Sequence, residues 1–250
     1  MSRDTTTTLR IAEFQIDHAG SACAEWVITY SEDEMKIGIM GAGNMGAAFT
    51  RRLAAADHEV AIAAPGLDEA RKVASEVGHR VRAVPREELA EGTDLLILAT
   101  PYGASVDALR AVRHTDGKTV IDISNPLTQD MSGLVIGHTT SAAEEIQRAV
   151  PGVKVVKAFN TVFSAVLGSQ PGGDSKVQVF YAGDDAGAKD TVRRLIESIV
   201  FEPVDGGPLA NARYLEPLGM LNIWLGYVGG RGTNTAPRWD TVASVVPAAV

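Results

Sequence analysis

The segment Lys36-Ile37-Gly38-Ile39-Met40 runs directly into Gly41-Ala42-Gly43-Asn44-Met45-Gly46, and a helical pattern continues from Asn44 to Ala56. A second apolar run, Glu59–Ala63, comes next. An apolar strand, a glycine-spaced turn, a helix and a second strand within roughly 30 residues form a β-α-β unit, and few local patterns restrict a fold as tightly. Each glycine has a separate reason to be there. Gly41 permits the tight turn, Gly43 has no side chain to keep a pyrophosphate from the backbone, and Gly46 lets helix and strand pack closely. A pyrophosphate would rest on the helix N-terminus, where free N–H groups and the helix dipole favour negative charge. The turn therefore reads as a dinucleotide site, with Ala42, Asn44 and Met45 as its remaining members.

The rest of the chain continues the alternation. Strands are expected at 94–99, 119–123, 153–157, 177–182 and 200–204. Helices are expected at 67–77, from Pro101 to about Arg113, at 141–150 and at 186–198. Ser141 with Glu144 three residues later is a capping box. The segment 209–228 reads as helical, with Pro217 as a break or restart point. Near-continuous apolar strands between amphipathic helices mean a sheet buried on both faces. The expected class is α/β: a Rossmann-like, doubly wound, mostly parallel sheet with a short C-terminal helical segment.

Residues 1–34 differ in character from the remainder of the chain. They hold two basic residues against seven acidic ones, while the whole chain has a net charge of −8. They are expected to form a mobile extension, ahead of a dinucleotide-binding domain over 35–228 and a loop-like tail over 229–250. An acidic chain is a poor general partner for nucleic acid. No apolar run is long enough to cross a membrane. The single cysteine, Cys23, excludes an internal disulfide and a multi-thiolate zinc site, and the five histidines show no metal spacing. A cytoplasmic setting is the expectation.

The end of the second strand selects the cofactor. An NAD site usually places Asp or Glu there, on the ribose 2′-hydroxyl. This chain has Ala63-Ala64-Pro65-Gly66. With no acid to repel a 2′-phosphate, NADP is favoured; beside Ala64, the N–H groups at the start of the next helix near Leu67 and Arg71 one turn in are the candidates to hold that phosphate, with a solvated helix face an equal alternative for Arg71 and Lys72.

In open parallel sheets, ligands bind beyond the carboxyl ends of the strands. Three further strand ends carry suitable residues: Thr100-Pro101-Tyr102, Asn125-Pro126, and Ala158-Phe159-Asn160. A nicotinamide ring would lie between these loops, with Tyr102 or Phe159 shaping a flat slot and Asn125 or Asn160 bonding a carboxamide or a substrate. For Phe159, core packing is an equal alternative. His58 is expected to be exposed, His138 lies near the proposed ligand edge, and Lys157 reads as a salt-bridge or snorkelling lysine. No catalytic triad declares itself.

Six motifs in order carry a resemblance: Gly41–Gly46, Ala99-Thr100-Pro101-Tyr102, Ser124-Asn125-Pro126-Leu127, the run Val155–Thr161, Ala182-Gly183-Asp184-Asp185, and the run Pro203–Leu209. Together they resemble the coenzyme F420-dependent NADP reductase family and its iron-reductase relatives. The resemblance implies hydride transfer between NADP(H) and a 5-deazaflavin. It also implies NADP on the glycine turn and on the loops at Thr100, Asn125 and Ala158. The deazaflavin would lie near Asn160 and the Gly207-Pro208-Leu209 turn. One departure stands out: where archaeal members carry Ser and Arg after the second strand, this chain has Ala64 and Pro65.

The expected function is an NADP-dependent oxidoreductase acting on coenzyme F420 or a similar small-molecule redox acceptor. An NADPH-dependent flavin or imine reductase is the enzyme alternative, and a non-catalytic NADP(H)-sensing module is the alternative from another class. The apolar Leu218, Met220, Leu221, Ile223, Trp224 and Leu225 bury either against the sheet or against a second subunit, and a homodimer is the expectation. No catalytic side chain is singled out, because the two rings are themselves hydride donor and acceptor.

Overall fold

The computed structural model describes residues 34–169 and 176–242. Except for Glu34, the expected extension lies outside the described residues, as do Cys23, His18 and the last eight residues of the tail.

Eight strands form a single sheet in the order β3-β2-β1-β4-β5-β6-β7-β8. The strands are β1 (Lys36–Met40), β2 (Glu59–Ala63), β3 (Val81–Ala83), β4 (Leu95–Leu98), β5 (Thr119–Asp122), β6 (Lys154–Ala158), β7 (Gln178–Gly183) and β8 (Glu202–Asp205). The pairs from β3 through β6 are parallel, β7 runs antiparallel to β6, and β8 is parallel to β7. The helices are α1 (Asn44–Ala55), α2 (Leu67–Val77), α3 (Tyr102–Arg110), α4 (Ala142–Ala149), α5 (Ser164–Gly168), α6 (Ala186–Ser198) and α7 (Ala212–Tyr227).

The period of two along each strand divides the interior into two layers. Ile37, Ile39, Val60, Ile62, Leu95 and Ile97 point to one face, where they pack with Phe49 and Leu53 of α1 and with Val192, Leu195 and Ile196 of α6. Met40, Ala61, Leu96, Leu98 and Val120 point to the other, against Leu109 of α3 and Ile146 of α4. Burying a Leu or Ile side chain contributes about 1.5–3 kcal/mol, so the strands are held by what covers them on both sides.

Ser141 caps α4 as expected: its Oγ accepts the Glu144 N–H and donates to the Glu144 carboxylate. β3 and α5, of three and five residues, are too short to show a period in the sequence. Pro217 does not break α7, which runs through it without interruption. Tertiary bonds hold the helix on both sides of the proline, from Glu216 to Lys157 and from Asn222 Nδ2 to Thr161 O.

His58, expected at the surface, is buried. Its Nδ1 accepts the Met35 N–H at 3.1 Å, and its Nε2 lies 2.8 Å from Ser198 Oγ. The tail has no helix or strand up to Val242. It nevertheless docks on β7, where Trp239 and Gln178 exchange two hydrogen bonds of 2.6 and 3.1 Å. No helix among the described residues is long and apolar enough to cross a membrane.

Candidate functional site

Strands β1, β2, β4, β5 and β6 all end on one edge, and the chemistry collects there. The turn after β1 is pinned by the Gly41 N–H donating to Ala63 O at 2.7 Å. Gly41 has φ +118°, a conformation that favours glycine, and a β-carbon there would meet the Ala99 carbonyl. A β-carbon on Gly46 would overlap the Gly41 carbonyl oxygen. Gly43 is the opposite case. It caps α1, and nothing lies within 4 Å of the place its β-carbon would occupy. No side chain caps the first turn of α1, and no acidic residue sits in it. Uncapped N–H groups facing open space at a helix N-terminus are the chemistry a pyrophosphate requires, so the residues present fit a dinucleotide.

A cleft of about 1110 Å3 opens from this turn. Gly41, Ala42, Gly43 and Asn44 line it, as do Thr100 and Pro101 at the end of β4. Met45 and Gly46 pack beneath, and Ala64 is buried under the wall that Pro65 forms. Tyr102 opens α3 and is half-buried outside the cleft. Burial raises its pKa, helped by the carboxylates of Glu145, Glu216 and Asp122, which keeps the phenol protonated.

Asn125 and Asn160 hold the ends of β5 and β6 together. Asn125 Nδ2 donates to Asn160 O at 2.8 Å, and Asn160 Nδ2 donates to Asn125 Oδ1 at 3.0 Å and to Leu215 O at 2.7 Å. Pro126 and Ala158 are buried on either side. Ser124 Oγ, Asn160 Oδ1 and Thr161 Oγ1 are buried with no hydrogen-bond partner among the described residues. Buried polar atoms are nearly always paired with protein, water or ligand, and all three stand at these two strand ends. α7 passes close by: a methyl on Gly219 would come within 2.5 Å of Asn125 Oδ1. A second cavity of about 610 Å3 lies next to it, lined by residues 134–140 with His138 among them, and by Pro217 and Met220 of α7.

Beneath the Asn pair lies a buried ionic group. Lys157 Nζ donates to Asp122 Oδ2 at 2.6 Å, to Ser124 O at 2.6 Å and to Glu216 Oε1 at 2.8 Å. Burial alone would lower the Lys157 pKa, but the two carboxylates overcome it and the net direction is up, so the ammonium persists. Burial raises the Glu216 pKa, opposed by Lys157 and by the N–H of Ala142 at the start of α4.

Three expected placements are corrected. Arg71 does not line the cleft: it is exposed and paired with Asp68 at 3.0 Å. The cations on the cleft wall are Lys72, the neighbour of Arg71, and Arg51 and Arg86, which local sequence does not single out. Phe159 is not a substrate contact. Its φ of +60° turns the ring into the core, edge-on to Phe49 at 5.1 Å and to Phe201 at 6.4 Å. The Gly207-Pro208-Leu209 turn does not adjoin Asn160. Because β7 and β8 run against β6, Gly207 O accepts the Gly183 N–H level with Val156, at the middle of β6 and four residues before Asn160. Leu209 is buried in the core there. α7 brings Leu215 and Gly219 to the Asn pair in its place.

Comparison with known proteins decides the family. Residues 36–126 match the family model described as NADP oxidoreductase coenzyme F420-dependent. The crystal structure of a presumed F420-dependent NADP reductase from Arthrobacter sp. FB24 is 31% identical, covers 80% of this chain and 96% of that one, and superposes with a TM-score of 0.69. The chain belongs to the coenzyme F420-dependent NADP oxidoreductase family. A hypothetical protein from Sinorhizobium meliloti is 33% identical over 72% of this chain and 87% of its own, with a TM-score of 0.66. Metalloreductase STEAP3 of Rattus norvegicus is 28% identical over 76% of this chain, and the match spans 38% of that longer protein. As a member of the F420-dependent family, the chain is an NADP-dependent oxidoreductase with a Rossmann-like fold.

Proposed function

We propose that the chain transfers hydride between NADP(H), held in the cleft at Gly41–Asn44, and a 5-deazaflavin such as coenzyme F420. The observation that carries this reading is coverage. The match with the presumed F420-dependent NADP reductase takes in 96% of that protein, whereas it takes in 38% of the metalloreductase. When bound, the reduced nicotinamide supplies the hydride, and the deazaflavin accepts it with a proton from solvent.

The chain's own part is placement. The α1 N-terminus neutralises the pyrophosphate, and the β4 end fixes the dinucleotide along the sheet edge. Farther along the same sheet edge stand Asn125 and Asn160, at strand ends where three buried oxygens have no hydrogen-bond partner among the described residues. The second cavity, lined by residues 134–140 and by Pro217 and Met220 of α7, is where the acceptor ring would approach. Reacting carbons must come within about 3–3.5 Å in a water-poor site, and rigid strand ends supply that precision without an acid or base. The test is anaerobic NADPH oxidation with coenzyme F420, with FMN and with a ferric chelate in separate reactions. Turnover with F420 alone supports the reading, and turnover with FMN or the chelate but not F420 overturns it.

We also propose that the chain forms a homodimer through α7. Tyr214, Leu221, Trp224 and Val228 are exposed at spacings of seven, three and four residues, which is one stripe of a helix. Sedimentation should show a dimer in the parent and a monomer in Leu221→Glu. A monomeric parent would refute it.

A further inference from the structure

The end of β2 offers an anion no side chain to grip. Ala64 is buried and Pro65 carries no donor. The cationic part of the cleft wall comes from two other places. Lys72 stands midway along α2, and Arg86 lies in the short 3-10 turn after β3. β3 pairs parallel with β2, so the chain leaving β3 emerges beside the β2 end, where the adenosine half of a dinucleotide arrives.

The two side chains share a second property. Neither has a hydrogen-bond or ion-pair partner among the described residues. Every other arginine from Arg51 to Arg113 has one: Arg51 on Glu76, Arg52 on Ile199 O, Arg71 on Asp68, Arg80 on Asp57, Arg82 on Glu91 O, Arg110 on Ala149 O and Arg113 on Glu91. A half-buried guanidinium on a cleft wall, without a carboxylate, is matched in charge and shape to a phosphate.

We propose that Arg86 and Lys72 hold the 2′-phosphate of NADP(H), in place of a reader on the turn after β2. This rests on the reading that NADP(H) occupies the cleft. Three carboxylates line the same cleft: Glu69 and Glu76 of α2 and Asp107 of α3. Glu76 is neutralised by Arg51 at 2.9 Å. Glu69 has no cationic partner among the described residues, and its carboxylate lies 3.7 Å from the place a Gly66 β-carbon would take. Asp107 also has no cationic partner among the described residues, and both oppose the phosphate, so the preference for NADP is a balance between two carboxylates and two cations.

The experiment is calorimetric titration of the full chain with 2′,5′-ADP and, separately, with 5′-AMP. These probes differ only in the phosphate at issue and need no acceptor. The parent should bind 2′,5′-ADP more tightly. Arg86→Ala and Lys72→Ala should each weaken 2′,5′-ADP about tenfold or more while 5′-AMP changes less than about twofold. Glu69→Gln should tighten 2′,5′-ADP alone. Thermal melts of each variant establish that it is folded. Equal losses for both probes, or no loss for either, would overturn the assignment of Arg86 and Lys72 and leave the cleft reading standing. A parent that binds neither probe would overturn the cleft reading, and the proposal with it.

Discussion

Lys157 Nζ lies 2.8 Å from Glu216 Oε1, with both side chains fully buried, and this contact ties β6 to α7 through the interior. Asp122 on β5 completes the group at 2.6 Å. A buried ion pair brings little net stability, but removing one member leaves charge stranded in a poor solvent for it. Lys157→Met should therefore destabilise the fold by about 3–5 kcal/mol, read from urea unfolding. A loss below about 1 kcal/mol would show that the two carboxylates accommodate each other without the cation.

The same residues give an alkaline limit. The folded Lys157 pKa is raised, so its contribution is complete below the unfolded lysine value and disappears as pH rises through the folded one. Melting temperature should stay level through neutral pH and fall only above the ordinary lysine range. Lys157→Met should lack that alkaline limb.

On the acid side the relevant group is Glu144. Arg213, bonded to its carboxylate at 2.6 and 2.9 Å, lowers its pKa, against the opposing effect of burial and with help from Ser141. A depressed carboxylate stabilises above its unfolded pKa, and that contribution is lost as pH falls through the folded one. Glu144→Gln should cost stability at pH 7 and flatten the decline below the ordinary glutamate range. An unchanged acid limb in the variant would remove Glu144 from that role.

Gly43→Asp should abolish dinucleotide binding and leave the protein folded. The new side chain points into open space, so the melting temperature should barely move, yet its carboxylate would occupy the pyrophosphate position. Calorimetry with NADP should give no measurable heat of binding. Unchanged affinity in a folded variant would place the pyrophosphate elsewhere.

Gly46→Ala should do the reverse. Its β-carbon would overlap the Gly41 carbonyl, and α1 must move off β1 to relieve it. Overpacking of this kind costs about 1–3 kcal/mol. The melting temperature should fall, with dinucleotide affinity falling alongside it because the turn is displaced.

The sequence by itself determined the β-α-β unit, the sheet edge at which the candidate site residues collect, the capped start of α4 and the apolar strands of both layers. These depend on neighbours within one turn or one strand, and local spacing encodes such contacts. The tertiary structure decided what depends on residues far apart in the chain. The reversal of β7 sends the Gly207–Leu209 turn away from the site, because strand direction is set by pairing and not by composition. Phe159 looks the same in sequence whether it lines a pocket or fills a core, and only a positive φ and the rings of Phe49 and Phe201 decide it. Arg71 and Lys72 are adjacent in sequence, yet the first pairs outward with Asp68 while the second lines the cleft. Arg86 joins Lys72 there because β3, a strand of three residues, lies beside β2. Charges brought together by sheet order leave no trace in local periodicity, because the burial and pairing that fix them exist only once the sheet has formed.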